Sequence, residues 1–188
     1  MRIISGKFKG KKIEYTKTSL IRPLKDFVKE NIFNILSHSN LINQKINNSI
    51  VLDLYSGVGS FGLECISRGT KKVTFVEEDN KAISILKKNL QNLSINKYAE
   101  LINDKIENIK KWHQKNKYDI FFFDPPFKEN NFIEILQKLN INKCFNNKHL
   151  VIIHREKNTY DKLNEILNIL MIRQYGRSKI IFGKFNLE

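Results

Sequence analysis

Ile50-Val51-Leu52-Asp53-Leu54-Tyr55-Ser56-Gly57-Val58-Gly59-Ser60-Phe61-Gly62 is the stretch that decides the fold. Ile50 to Leu54 is a short apolar run of the kind buried in a parallel sheet. A glycine-rich turn follows, then a helical pattern through Leu63 and Ile66 that stops at Arg68-Gly69. A GxGxxG run set between a strand and a helix is a nucleotide-type turn, in which glycines let the backbone bend tightly and approach a ligand closely. The next strand, Val73 to Val76, ends at Glu77, twenty positions after Gly57. A carboxylate there accepts both hydroxyl hydrogens of a ribose.

Outward from this unit the pattern keeps alternating. Ala82, Ile83, Leu86 and Leu90 mark a helix, and Ala99 to Ile102 a third strand. Ile106, Ile109 and Trp112 mark another helix. Tyr118 to Phe123 is a strongly apolar strand stopped by Pro125-Pro126. Phe132 to Leu139 reads as helix, Leu150 to Ile153 as strand, and Tyr160 to Leu167 as helix. Two closing strands, 169–174 and 179–185, are joined by Tyr175-Gly176-Arg177 and should be antiparallel, since the link is short. Repeated βα units imply a mostly parallel sheet with helices on both faces. Upstream, residues 1–15 read as a basic β-hairpin with Gly6 and Gly10 at its turns, and Arg22-Pro23 opens a helix running to about His38. Residues 1–40 thus form an appendage and 50–188 the main domain, with a polar, Asn-rich linker between.

The chain has 188 residues, 41% hydrophobic and 28% charged, which fits a globular domain and excludes wholesale disorder. Thirty-three Lys and Arg stand against 19 Asp and Glu, a net charge of +14. Such an excess points to a polyanionic partner, nucleic acid first, although a composition rich in Lys, Asn and Ile produces the same sign. Cys65 and Cys144 exclude a disulfide scaffold, and the four scattered histidines show no metal-ligand spacing. No secretory signal and no membrane-length apolar run is readable, so the expected place is the cytoplasm, without a membrane partner.

Two cofactor classes fit the glycine turn: a dinucleotide, or S-adenosylmethionine. Asp53 favours the second. A pyrophosphate would be repelled by a carboxylate at the end of the first strand, whereas the ammonium of a methionine tail would be attracted. The plainer reading of Asp53 is a residue that binds turn amides. Asn103-Asp104 follows the third strand, where Asp104 could read an adenine amino group or simply cap the next helix. Asp124-Pro125-Pro126-Phe127 closes the apolar strand. Its prolines remove two N–H donors, which leaves carbonyl acceptors and one carboxylate. That is the equipment for gripping the two N–H groups of an exocyclic amine, with Phe127 as a face for a flipped-out base. The plainer reading is a rigid turn with a buried Phe127.

These residues resemble a family, the RsmD-like class I methyltransferases that modify N2 of a guanine in 16S ribosomal RNA. The resemblance runs over nearly the whole chain. It includes Arg2-Ile3-Ile4-Ser5-Gly6 with Lys9-Gly10-Lys11-Lys12, Arg22-Pro23 with Asp26, Val28, Glu30 and Phe33, the Asp53 to Gly69 segment, Val76-Glu77, and Asp124 to Phe127. The family usually carries Thr where this chain has Leu24. The resemblance implies a Rossmann-like seven-stranded sheet and S-adenosylmethionine as donor. Asp53, Tyr55, Gly57, Gly59, Glu77 and Asp104 are implied for the cofactor, and Asp124, Pro125, Pro126 and Phe127 for amine positioning. Lys7, Lys9, Lys11, Lys12 and Arg22 are expected to hold RNA phosphates if the hairpin folds over the carboxyl edge of the sheet. The implied partner is 16S ribosomal RNA within a small-subunit assembly intermediate, met by a monomer. Rival readings are an adenine-N6 methyltransferase, a nicotinamide oxidoreductase and a non-catalytic RNA-binding module. His154 and Arg155, after the fifth strand, receive no role at this stage.

Overall fold

The computed structural model describes residues 1–15, 24–109, 117–127 and 129–186. Its centre is a seven-stranded sheet. The strands are β1 (Ile50–Leu54), β2 (Lys72–Val76), β3 (Ala99–Ile102), β4 (Tyr118–Phe123), β5 (Phe145–Glu156), β6 (Leu167–Tyr175) and β7 (Ser178–Phe185). They lie in the order β3-β2-β1-β4-β5-β7-β6, with the first five parallel and β7 antiparallel to both β5 and β6. The order reverses between β1 and β4, and ligands of such sheets bind outside the carboxyl ends of the strands at that reversal. This is the Rossmann-like architecture expected from the sequence, including the antiparallel pair at the end.

The strand residues alternate between two cores. Val51, Val73, Phe75, Ile120, Phe122 and Ile152 face one layer; Leu52, Leu54, Val76, Phe121, Phe123 and Ile153 face the other. The first layer holds α1 (Asp26–His38), α2 (Ser60–Ser67) and α3 (Asn80–Asn92), and the second holds α4 (Phe132–Ile141). The rings of Phe33, Phe61 and Phe122 stack in a row, with centroids 5.1 and 4.0 Å apart, and so tie α1 through α2 to β4.

Residues 1–13 form a small hairpin held by the Arg2–Lys12 bridge and the Ile3–Lys11 hydrogen bond. Its Ile3 and Ile13 enter the same core as the helices of the first layer. The buried Glu64 carboxylate of α2 accepts the backbone N–H groups of Ile4 and Ser5 and also pairs with Arg68. Lys29 of α1, fully buried, donates to the Arg2 carbonyl at 2.8 Å and lies 3.4 Å from Asp26; burial pushes its ammonium pKa down. The segment read as a linker is packed as well, with Ile42 and Ile46 in the core.

Two expected helices differ. Tyr160 to Leu167 is not helical: a single turn closes at Leu163–Leu167, and β6 starts at Leu167. Leu163 and Ile166 have helical spacing because both dip into the second core, while Asp161 is held to Arg155 and fixes the chain before a helix can start. Of the helix read through Ile106, Ile109 and Trp112, the described part is one 3₁₀ turn, Ile106–Asn108; residues 110–116, Trp112 among them, lie outside the described residues. β5 is longer than expected at both ends, and α1 begins at Asp26; Arg22 and Pro23 are also outside the described residues.

Candidate active site

The sheet register puts the chemistry in one row. Ile102, Val76, Leu54, Phe123 and Ile153 are cross-strand partners on five adjacent strands. The next residue on each strand is Asn103, Glu77, Tyr55, Asp124 or His154. Each is therefore delivered to the carboxyl edge, with Tyr55 and Asp124 flanking the place where the strand order reverses.

The loop after β1 is held by two carboxylates from within its own βαβ unit. Asp53, 1% exposed, accepts the Gly62 N–H at 2.9 Å and so satisfies a free amide in the first turn of α2. Burial, aided by the nearby Asp124 and Glu77 charges, holds the Asp53 carboxyl well above the usual carboxylate range. Glu77 accepts the Gly57 N–H at 2.7 Å and the Asp79 N–H at 2.9 Å; its own pKa is also raised, first by burial. Gly59 sits at φ 85° just before α2, where a Cβ would fall 2.5 Å from the Leu86 side chain. A Cβ on Gly62 would fall 2.3 Å from the Phe75 ring, so α2 can lie this close to β2 only with glycine there. Asp104 accepts from Lys105 N–H and Asn108 Nδ2, but the N-cap of the Ile106–Asn108 turn is Lys105, so Asp104 does not perform the capping that was one of its two readings. Asn103 clasps the Glu77 and Glu78 carbonyls.

The loop after β4 is held from a different strand. Asp124 Oδ1 lies 2.8 Å from Nδ1 of His154, and Nε2 of the same ring meets Ser178 Oγ at 2.9 Å. A carboxylate facing Nδ1 at that distance is met by a proton on Nδ1, so the ring donates to Asp124 while its Nε2 shares a hydrogen bond with the Ser178 hydroxyl. Phe127 stands edge-on to the His154 ring, with centroids 5.7 Å apart. Arg155, 1% exposed, donates to the Pro126 carbonyl at 3.2 Å, to Asn130 Oδ1 and to both oxygens of Asp161, and lies over the Phe132 ring. The Pro126 carbonyl also accepts from Glu129 N–H. Tyr55, with φ at 58°, donates its hydroxyl to Glu129 at 2.7 Å and so ties the β1 loop to the β4 loop.

Between the loops lies an open crevice lined by Leu24, Asp53, Tyr55, Ser56, Gly57, Asp124 and neighbouring residues. The buried Ser56 Oγ has no hydrogen-bond partner among the described residues. Asp53, Tyr55, Gly57 and Asp124 thus meet around one space, Gly59 and Glu77 shape it from behind, and Phe127 follows Asp124 on the same loop. Asp104 is further out, beyond β3. The hairpin does not cover this edge. Lys7 N–H bonds the Ser67 carbonyl and Phe8 N–H the Ser67 hydroxyl, at the far end of α2 from Gly59. The turn carrying Lys7 and Lys9 therefore lies toward the amino ends of the strands, with Lys11 and Lys12 exposed behind it. His154 and Arg155 are the residues whose part was not readable from the sequence. Their signal was a histidine and an arginine closing the apolar run Val151-Ile152-Ile153.

Among the described residues no helix is long and apolar enough to cross a membrane. Residues 1–184 match the family model described as conserved hypothetical protein 95. Curated relatives include a ribosomal RNA small subunit methyltransferase D from Buchnera aphidicola, 35% identical over 96% of this chain and 88% of its own length. One of the same name from Haemophilus influenzae is 36% identical over 84% of this chain and 79% of its own length. Among solved structures, the yhhF protein of Escherichia coli superposes with a TM-score of 0.82 at 25% identity, covering 100% of this chain and 99% of its own. The chain belongs to the conserved hypothetical protein 95 family, the RsmD family of its curated relatives.

Proposed function

We propose that this protein transfers a methyl group from S-adenosylmethionine to the exocyclic N2 amine of a guanine in 16S ribosomal RNA. The observation that carries the reading is the register row that sets Asp124 across one crevice from Asp53 and the glycine loop. Family membership supports it, since curated relatives are named ribosomal RNA small subunit methyltransferases.

The crevice suits the donor. Asp53 has one oxygen committed to Gly62 and a second for an ammonium, and Ser56 Oγ is a buried polar atom with no partner among the described residues. Asp53, Ser56 and Gly57 would hold the amino-acid part, Glu77 the ribose, and Asp104 the adenine edge. The bound donor supplies an electron-poor methyl carbon on a sulfonium sulfur. The protein supplies orientation and exclusion of water. Asp124, fixed by His154 through Oδ1, keeps Oδ2 for an N–H of the target amine; the Pro125 carbonyl takes the other. Both bonds draw the amine lone pair out of the base and toward the methyl carbon. Asp124 Oδ2 is also the base for the proton the amine must release after transfer. Phe127 stacks on the extruded base. Lys7, Lys9, Lys11 and Lys12 anchor RNA away from the reacting centre, and Arg22 is a further phosphate contact; such contacts position without reading sequence. The setting is the cytoplasm, the substrate a small-subunit assembly intermediate, and the acting species a monomer.

Small-subunit RNA from cells lacking this protein, incubated with the purified enzyme and labelled donor, should gain label in N2-methylguanosine on nucleoside analysis. Label in N6-methyladenosine would replace this reading with the adenine-directed one, and no label in either would end both.

A further inference from the structure

Among the described residues Tyr160 is the most exposed large hydrophobic side chain, at 89%. It follows β5, so it stands at the carboxyl edge beyond His154 and Arg155. The loop that carries it is pinned on both sides of the ring. Thr159 Oγ1 donates to the Glu156 carbonyl, Lys179 Nζ donates to the Thr159 carbonyl, and Lys157 N–H bonds the Arg177 carbonyl. Asp161 is buried against Arg155, the same guanidinium that grips the Pro126 carbonyl beside Phe127. The loop and the Asp-Pro-Pro-Phe turn therefore share one anchor. Glu156 is paired with Arg177 and Asp161 with Arg155, so the exposed Lys157 and Lys162 leave the loop face positive.

An aromatic ring carried on a pinned stretch of backbone and held out in water, with a lysine on either side in sequence, buries almost no apolar surface. It has the chemistry of a platform for an unpaired nucleobase, with the lysines placed for the flanking phosphates. We propose that residues 157–162 form a contact surface for single-stranded RNA, with Tyr160 stacking on a base next to the one being modified. This rests on the reading of the crevice as an RNA methyltransferase site and adds the neighbouring subsite. Extruding the target base leaves its neighbour without a stacking partner, and the Tyr160 ring takes that place.

The test compares wild type, Tyr160→Ala and Tyr160→Phe in equilibrium binding to unmethylated small-subunit RNA, alongside turnover on the same RNA. Tyr160→Ala should bind roughly ten-fold more weakly, with Tyr160→Phe near wild type, as expected for base–aromatic stacking. The double variant Lys157→Ala/Lys162→Ala should lower the salt dependence of binding by about two phosphate contacts. Donor affinity should not move. Tyr160→Ala binding RNA like wild type, or Tyr160→Phe losing as much as Tyr160→Ala, overturns the subsite while methylation by wild type still stands. Weakened RNA binding by Tyr160→Ala, with no methylation by wild type, would keep the contact surface and remove the assigned reaction.

Discussion

The two loops that face each other across the crevice are built in opposite ways. The glycine loop after β1 is braced from inside its own βαβ unit: Asp53 holds Gly62, and Glu77 holds Gly57. The Asp-Pro-Pro-Phe loop after β4 is braced from β5, where His154 holds Asp124 and Arg155 holds Pro126. In the first loop the bracing carboxylates are the same groups proposed to meet the donor. In the second, bracing falls to residues that need not touch the substrate, and Asp124 is left free to act. A site for a cofactor common to every turnover can be flexible in its hydrogen bonds; a group that must aim one amine cannot.

The strongest test of this contrast is at Arg155. Arg155→Met would leave the Asp161 carboxylate buried without a partner, and breaking such a pair typically costs about 3–5 kcal/mol. Urea unfolding should show a loss of that size, with turnover falling further than donor affinity. If donor affinity fell equally, the two loops would be one unit and the contrast would fail. Next in size is Asp124→Ala, expected to cut turnover by roughly 10²-fold or more, the scale of a lost positioned polar group. Donor affinity measured by calorimetry should stay within about twofold of wild type. Normal turnover in this variant would strip Asp124 of its role.

The smallest effect concerns protons and sharpens the reading of the first loop. Burial raises the pKa of Asp53 and of Glu77 in the free protein. A carboxyl raised on folding contributes stability that is full at low pH and is lost as pH rises through the raised value. An ammonium beside Asp53 pulls its pKa back down. Donor binding should therefore release protons and strengthen as pH rises from the ordinary carboxylate range to the raised value. Calorimetry in two buffers of different ionisation enthalpy reads this directly. Equal heats in both buffers would separate Asp53 from the ammonium.

The same contrast explains what was legible in the sequence. The glycine loop announced itself because its parts lie within one strand–turn–helix–strand unit: Asp53, Gly57, Gly59 and Glu77 act at the spacing at which they are written. Asp124 to Phe127 stood out as a motif, two prolines and a carboxylate closing an apolar strand. Its support did not. The Asp124–His154 bond spans 30 positions and depends on the β4–β5 register that pairs Phe123 with Ile153. No local period encodes that register. The missing helix at Tyr160 to Leu167 has the same origin: its apolar spacing was real, but Arg155 seizes Asp161 and a strand begins at Leu167. The hairpin was read correctly as a hairpin, yet its place along α2 depends on Glu64 and Ser67, which sequence patterning left as ordinary helix positions.

The sheet order β5-β7-β6 has a consequence for synthesis of the chain. β6 is made before β7, yet it reaches the sheet only through β7. Until Ser178 to Phe185 leave the ribosome, β5 keeps an open, apolar margin, and His154 lacks the Ser178 hydroxyl. An unpaired margin of that kind invites association with other nascent chains. A polypeptide halted at Tyr175 should thus be both catalytically silent and prone to clump, because the same few residues complete the geometry and seal the fold.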